Sequence, residues 1–352
     1  MKKLKGAIIG CGAIAREHLT AVAQLKDVEI AAVCDISAAR AEAAAERFDV
    51  PMFYTNYEEL ILEVSPDLVH ITTPPSSHFL IAQRCLAAGL NVLCEKPITV
   101  EYSDFGSLKK LAIDNNCMLM ENQQNRFHSS IRRIQHLFET GRLGDLLEIQ
   151  IFLSLNLFAA GSPYVDRNVP HFGLGLRGGV IGDFLPHIAY LAYMFTGSAI
   201  EVRTIWEKRF DTSPLPADEF RGFIKGERAT AYVSFSGNAQ PDGFVVRVVG
   251  TKMRIETNLY EPPRLTVRQS RPGEPALMSL LDGIAESRDV FRGTVAGFWR
   301  KLGGKSSYDG LLELFSRTYR ALEQHEPQPV PLDEIDAVAR LVDRLSAQDL
   351  KL

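Results

Sequence analysis

What the chain lacks narrows the field first. None of its 352 residues falls in an apolar stretch as long as the roughly 18 a membrane span needs, so no membrane partner is expected. No run of Lys and Arg exceeds three, and the formal net charge is -4, so no basic face for nucleic acid is expected. The five cysteines, Cys11, Cys34, Cys85, Cys94 and Cys117, are odd in number and include no C-x-x-C pair, which reads as unpaired thiols in a reducing, cytoplasmic compartment. No His/Cys/Asp grouping has metal-ligand spacing, so no metal is expected. Internal repeats and low-complexity tracts are missing as well.

What is present is average: 46% hydrophobic and 23% charged, enough for a buried core. The length suits two domains. Lys2, Lys3 and Lys5 before the apolar run Gly6–Ala15 imitate a short signal peptide, but two glycines break that run.

The first 120 or so residues alternate strand-like and helix-like periods. Strands are expected at 7–9, 28–34, 68–71, 91–94 and 117–120. Helices are expected after the first three, with Ser37 as one cap, Ser76 or Ser77 as another, and Gly89 at a helix end. Alternation of this kind implies right-handed crossovers and a doubly wound parallel sheet. Near residue 122 the pattern changes. A helix is expected from 129 to 140, then strand runs at 147–157, 201–208, 229–235, 244–249 and 252–256, with a turn at Gly250-Thr251. Consecutive strands without crossovers imply an open, largely antiparallel sheet in an α+β domain. Arg271-Pro272-Gly273 reads as irregular. Phe291, Phe298 and Trp299, among Arg292, Arg300, Lys301 and Lys305, read as a packed helix with a solvated face. Two helices close the chain. The expected division is 1–122 and 123–352, with the closing helices returning to the first domain.

Chemistry enters at Gly10-Cys11-Gly12-Ala13-Ile14-Ala15, a G-x-G-x-x-A that follows a strand and opens a helix. Gly10 suits the tight turn, Gly12 a close approach to a pyrophosphate, and Ala15 helix–strand contact, with the helix amides facing the phosphates. Asp35, at the end of the second strand, suits the ribose hydroxyls and favours NAD. Arg40 nearby keeps NADP open, since an arginine accommodates a 2′-phosphate.

Glu95-Lys96-Pro97 follows a buried strand, where ligands sit in doubly wound sheets. A lysine there either hydrogen-bonds a substrate hydroxyl or is an ordinary surface residue. Asp183 and His187 are four apart and share a helix face, with Pro186 expected in the first turn. The pair suits a base taking a hydroxyl proton, or an N-cap and a core histidine. His171 lies in the Gly-rich run 170–175 and could line a cleft, whereas His128, His136 and His325 are expected to face solvent.

Together with Thr72-Thr73-Pro74, His78, Asn125-Arg126-Phe127, the stretch 178–187 and Gln328-Pro329-Val330-Pro331, these motifs resemble the Gfo/Idh/MocA group of glucose–fructose oxidoreductase and inositol dehydrogenase-like enzymes along nearly the whole chain. The resemblance implies a Rossmann domain, an open-sheet second domain whose face forms homodimers or tetramers, and a substrate cleft between them. By position, Lys96, Asp183 and His187 match catalytic residues. Thr72, Thr73, Pro74, His78, Glu95 and Lys96 fall among cofactor contacts, and Asn125 and Arg126 among substrate contacts. The implied activity is hydride transfer between NAD, with NADP possible, and a sugar, nucleotide-sugar or polyol carbinol. A non-catalytic sensor and an NAD-dependent glycoside hydrolase are the alternatives. Two departures stand out: Leu185 where the group often has glycine, and Tyr190 where it often has an acid, which argues against inositol itself.

Overall fold

The computed structural model describes residues 3–166, 171–210, 215–269 and 310–347, with 283, 284, 287, 288, 291 and 295. The expected irregular stretch at 271–273, and Phe298 and Trp299 with their basic neighbours, lie outside the described residues. Two compact units are formed. The first comprises 1–124 and 308–343, the second 125–307 and 344–352. The chain comes back to its first unit after building the second.

In the first unit, six strands lie in the order β3-β2-β1-β4-β5-β6, all parallel. They are β1 (Leu4–Ile9), β2 (Val28–Cys34), β3 (Met52–Tyr54), β4 (Leu68–Ile71), β5 (Asn91–Cys94) and β6 (Leu119–Glu121). Near-continuous apolar strands demand cover on both faces. It comes from α1 (Ala13–Val22), α2 (Ala38–Phe48), α3 (Tyr57–Val64), α4 (Pro75–Ala87) and α5 (Tyr102–Asp114), joined by α8 (Leu311–Gln324) and most of α9 (Leu332–Ser346). Ile8, Ala15, Leu19, Val33, Ala45 and Val50 form one core cluster. The basic, apolar N-terminus is thus strand and helix of the core. Neither Ser76 nor Ser77 caps α4. Pro74 precedes it and Pro75 opens it, using a residue that needs no N–H partner there.

The second unit is a mixed seven-stranded sheet, and its strands follow the predicted runs with two additions. The strands are β7 (Leu146–Ser154), β8 (Ala199–Glu207), β9 (Glu219–Gly226), β10 (Thr230–Ser236), β11 (Gly243–Gly250), β12 (Met253–Asn258) and β13 (Thr266–Gln269). All pairings are antiparallel except β7 with β10. One face buries Ile149, Ile151, Leu153, Val233 and Phe235, with α7 (Val180–Thr196) packed on it. The other carries Phe152, Tyr232 and Ile205 exposed. Helix α6 (Ser129–Glu139) belongs to this unit.

Candidate active site

Backbone bonds between neighbouring strand ends line up the first unit's motifs. Gly10 N donates to Cys34 O, Thr72 N to Ile9 O, Glu95 N to Ile71 O and Asn122 N to Cys94 O, at 2.7–2.9 Å. Four loop residues, one after each strand, thus stand along the carboxyl edge, where an open α/β sheet binds ligands.

The glycine turn is built for close approach. Gly10 has φ +98°, and a Cβ there would lie 2.7 Å from Thr73 N. The Thr72 hydroxyl donates to Gly10 O at 2.6 Å. Asp35 joins two loops: Cys11 N donates to its Oδ2 at 2.8 Å and Ser37 N to its Oδ1 at 2.9 Å. Burial, with the Asp35 charge, pushes the Cys11 thiol up to about 12, so it is no nucleophile. Arg40 stands exposed on α2.

Whether a dinucleotide fits is tested by what this edge leaves open. A Cβ at Gly12 would meet no atom within 4 Å. The α1 N-terminus, from Ala13 and Ile14 on, has no capping side chain and no acid in its first turn. The buried Oδ1 of Asn122 and Oε1 of Gln124 have no hydrogen-bond partner. Space, uncovered amides and buried acceptors together fit such a cofactor.

The Glu95-Lys96-Pro97 corner is held from behind. His78 is fully buried, with Nδ1 2.8 Å from Pro97 O and Nε2 2.7 Å from Thr73 O, so it ties the corner to the Thr72-Thr73-Pro74 loop. Burial lowers its pKa, against the pull of the two carbonyls. The Lys96–Pro97 bond is cis. Both Glu95 carboxylate oxygens face protein groups: Oε1 meets His18 and the Asn122 amide, Oε2 the Lys96 backbone N–H. Against burial, His18, the Lys96 charge and the Asn122 amide hold Glu95 down to about 2, so it is anionic. Lys96 is half-buried.

In the second unit, Asp183 and His187 stand one turn apart on α7, Asp183 buried and His187 half-buried. Pro186 lies well inside the helix, not in its first turn, because α7 starts at Val180. Apolar burial along nearly all of this helix outweighs the hydrogen bond that Pro186 forgoes. At the His187 ring, Nδ1 is 2.8 Å from the Tyr190 hydroxyl and 3.4 Å from Asn125 Nδ2. Asn125 N donates to that hydroxyl at 3.3 Å. The structure thus brings Asn125 to His187, and the departing Tyr190 becomes its neighbour. Arg126 follows in the short turn Gln124–Phe127. His171 Nδ1 accepts from Gly173 N at 3.1 Å, capping the turn Phe172–Gly175. His128 is buried, not solvent-facing, because it caps α6 by accepting from Ser130 N. Asn122, His18 and His70 carried no sequence signal of their own. Among the described residues no cluster of His, Cys, Asp and Glu could hold a metal ion, and no helix is long and apolar enough to cross a membrane.

Comparison with known proteins adds to this geometry. Residues 4–123 match a family model described as an oxidoreductase family with NAD-binding Rossmann fold. D-apiose dehydrogenase of Paraburkholderia graminis is 27% identical over 48% of the chain and 45% of its own length. The dTDP-3,4-didehydro-2,6-dideoxy-alpha-D-glucose 3-reductase of Streptomyces violaceoruber is 29% identical over 58% of the chain and 57% of its own length. The chain therefore spans about half the length of the curated relatives it matches. A solved oxidoreductase from Agrobacterium radiobacter, in complex with NAD+, L-tartaric acid and magnesium, shares the fold. Its TM-score is 0.77 and its identity 19%, over 97% of this chain and 95% of that one.

Proposed function

Because residues 4–123 of this chain match the Gfo/Idh/MocA oxidoreductase family model, we propose that it is an NAD-dependent dehydrogenase or reductase. It acts on a carbinol of a sugar, nucleotide sugar or polyol. The observation that carries the reading is the ordered carboxyl edge: Gly10, Thr72, Glu95 and Asn122 in register, with Asp35 clasping the glycine turn. Bound NAD supplies the hydride acceptor or donor. Ala13 and Ile14 amides hold its pyrophosphate, and Asp35 takes the ribose hydroxyls on its remaining lone pairs. Its charge disfavours a 2′-phosphate, so NAD is preferred over NADP.

His187 moves the substrate proton and Asp183 orients it. Tyr190 adds what an acid would not. Its hydroxyl either donates to His187 Nδ1 or accepts from it, so Nε2 can serve as the atom that gives or takes the proton in either direction of reaction. Lys96 holds the reacting oxygen. Asn125 and Arg126 contact the substrate, and His171 lies in the same role. The open face of the second sheet, with Phe223 and Tyr232 rings 5.6 Å apart beside Phe152 and Ile205, suits a second copy of the chain. The five unpaired thiols support a reducing, cytoplasmic location.

The test is a screen over free sugars, polyols and nucleotide sugars with NAD+ and NADP+, following reduced cofactor. On the substrate it finds, His187→Ala and Lys96→Ala should keep NAD+ affinity and lose about 100-fold or more in kcat. Undiminished turnover would refute the roles, and tighter NADP+ binding would refute the cofactor preference.

A further inference from the structure

Four side chains sealed from solvent make a hydrogen-bonded chain through the first unit. They are Glu95, His18 on α1, His70 on β4 and Tyr319 on α8. His18 Nε2 lies 2.9 Å from Glu95 Oε1, and His18 Nδ1 lies 3.1 Å from His70 Nδ1. His70 Nε2 lies 2.8 Å from the Tyr319 hydroxyl. Phe315 stands edge-on to both imidazoles, at 4.8 and 4.9 Å between ring centroids. Hydride transfer as described uses neither histidine. Yet the chain ends on the residue before Lys96, whose backbone N–H donates to Glu95 Oε2 at 3.3 Å.

Counting protons decides how it is wired. Two facing Nδ1 atoms must share one hydrogen, since two lone pairs repel and two N–H groups collide. With Glu95 anionic and His70 kept neutral by its burial, two arrangements satisfy every contact. In the first, His18 is an imidazolium that donates to Glu95 and to His70, and His70 donates to the Tyr319 oxygen. In the second, both rings are neutral. His18 donates to Glu95, His70 Nδ1–H donates to His18, and Tyr319 donates to His70 Nε2. They differ by a single proton.

The surroundings choose between them. A buried carboxylate needs a countercharge in contact. The other groups acting on Glu95 are Lys96, His78, Cys94 and Glu121, and Asp67 acts on Tyr319. Glu121 and Asp67 add negative charge. Lys96 adds a favourable charge, and both ring nitrogens of His78 face backbone carbonyls. His18 alone among these cation-forming rings touches the carboxylate directly. Burial and the neighbouring His18 keep His70 well below the usual histidine range, so it is the neutral ring in both arrangements.

We propose that His18 is held as an imidazolium between Glu95 and His70, and that this buried ion pair fixes the turn carrying Lys96. His18 and His70 are then positioning residues for the reaction. The inference rests on the reading of Lys96 as a group that meets the reacting oxygen.

The first measurement is independent of substrate. Full-length protein labelled with 15N-histidine, saturated with NAD+ at pH 7, is read by long-range 1H–15N correlation. One buried ring should show both nitrogens at imidazolium positions, and that signal should vanish in His18→Gln. A second should be neutral with the proton on Nε2, and vanish in His70→Gln. A neutral His18 overturns the proposal whatever the enzyme acts on. The second measurement is kinetic. His18→Gln should lose about 100-fold in kcat, the cost of a misplaced reacting group. Its KM and NAD+ affinity should stay within about threefold of the parent, and its kcat–pH profile should change shape. His70→Gln and Tyr319→Phe, which leave Glu95 untouched, should show the same pattern more weakly. Lower thermal stability with kcat intact in all three variants overturns the positioning role. Failure of Lys96→Ala to lose turnover undoes the enzyme reading instead and leaves the ring signals as they were.

Discussion

Asp35 accepts from Cys11 N and Ser37 N, so it holds the glycine turn to the end of β2. Asp35→Ala should therefore weaken NAD+ by more than a lost ribose contact would. We expect about 30-fold or more by titration calorimetry, from several hydrogen bonds near 1 kcal/mol each. Binding within twofold of the parent would show that the turn stands without it. The buried histidines carry a pH signature. His70 and His78 both sit below their ordinary range in the fold. Below about pH 6.5 the unfolded chain takes up protons that these rings refuse, so stability falls as pH drops. Glu95, at about 2 when folded, adds a second loss below about pH 4.5, where the unfolded carboxyl protonates first. Melting temperatures from about pH 6.5 down to 4 should fall in these two stages. A midpoint that is flat between about pH 6.5 and 5 would contradict the burial argument. These residues also mark where sequence reading stops. Gly10 and Asp35 are legible because the dinucleotide fingerprint puts those types at fixed spacing. His18, His70 and Tyr319 lie far apart in the chain, and no local pattern announces that the sheet and α8 bring them together.

At the scale of elements, α7 shows how local rules and packing compete. The spacing of Asp183 and His187 placed both on one helix face. Pro186 suggested a helix start that the structure puts at Val180. Gly182 lets the first turn close, since a Cβ there would collide with the Arg177 carbonyl oxygen. Gly182→Ala should cost about 2 kcal/mol of stability through overpacking. It should also lower turnover, because it displaces the turn that bears Asp183. A variant with unchanged melting temperature would show that the 177–182 loop gives way freely. The parallel sheet was readable from apolar runs punctuated by glycine and proline. The short edge strand β3 and the helices α3 and α5 gave no clear period and went unassigned. In the second unit, strand-like runs marked β7, β8 and β10 to β12, but pairing is non-local. That β7 runs parallel to β10 while its other neighbour, β11, is antiparallel to it follows from chain routing, not from residue pattern.

For the whole molecule, the second sheet's face that is exposed among the described residues sets the expected assembly. Phe152 and Tyr232 are exposed, and Arg247 pairs with Glu256 at 2.6 Å on the same face. A stable dimer would need about 800 Å² from each copy. Light scattering should therefore give a mass above that of one chain, and Tyr232→Glu should lower it toward a single chain. A monomeric parent protein would refute this surface as a self-interface. The two-unit plan was legible in broad terms, because composition and strand rhythm change near residue 122. That residues 308–343 rejoin the first unit has a consequence for biosynthesis. As the chain leaves the ribosome, the cofactor-binding sheet emerges first but lacks Phe315 and Tyr319, which close its core. The second unit is nearly complete before those residues are made. The part that starts folding first is the part that finishes last, and an interrupted synthesis would leave it open at His18 and His70.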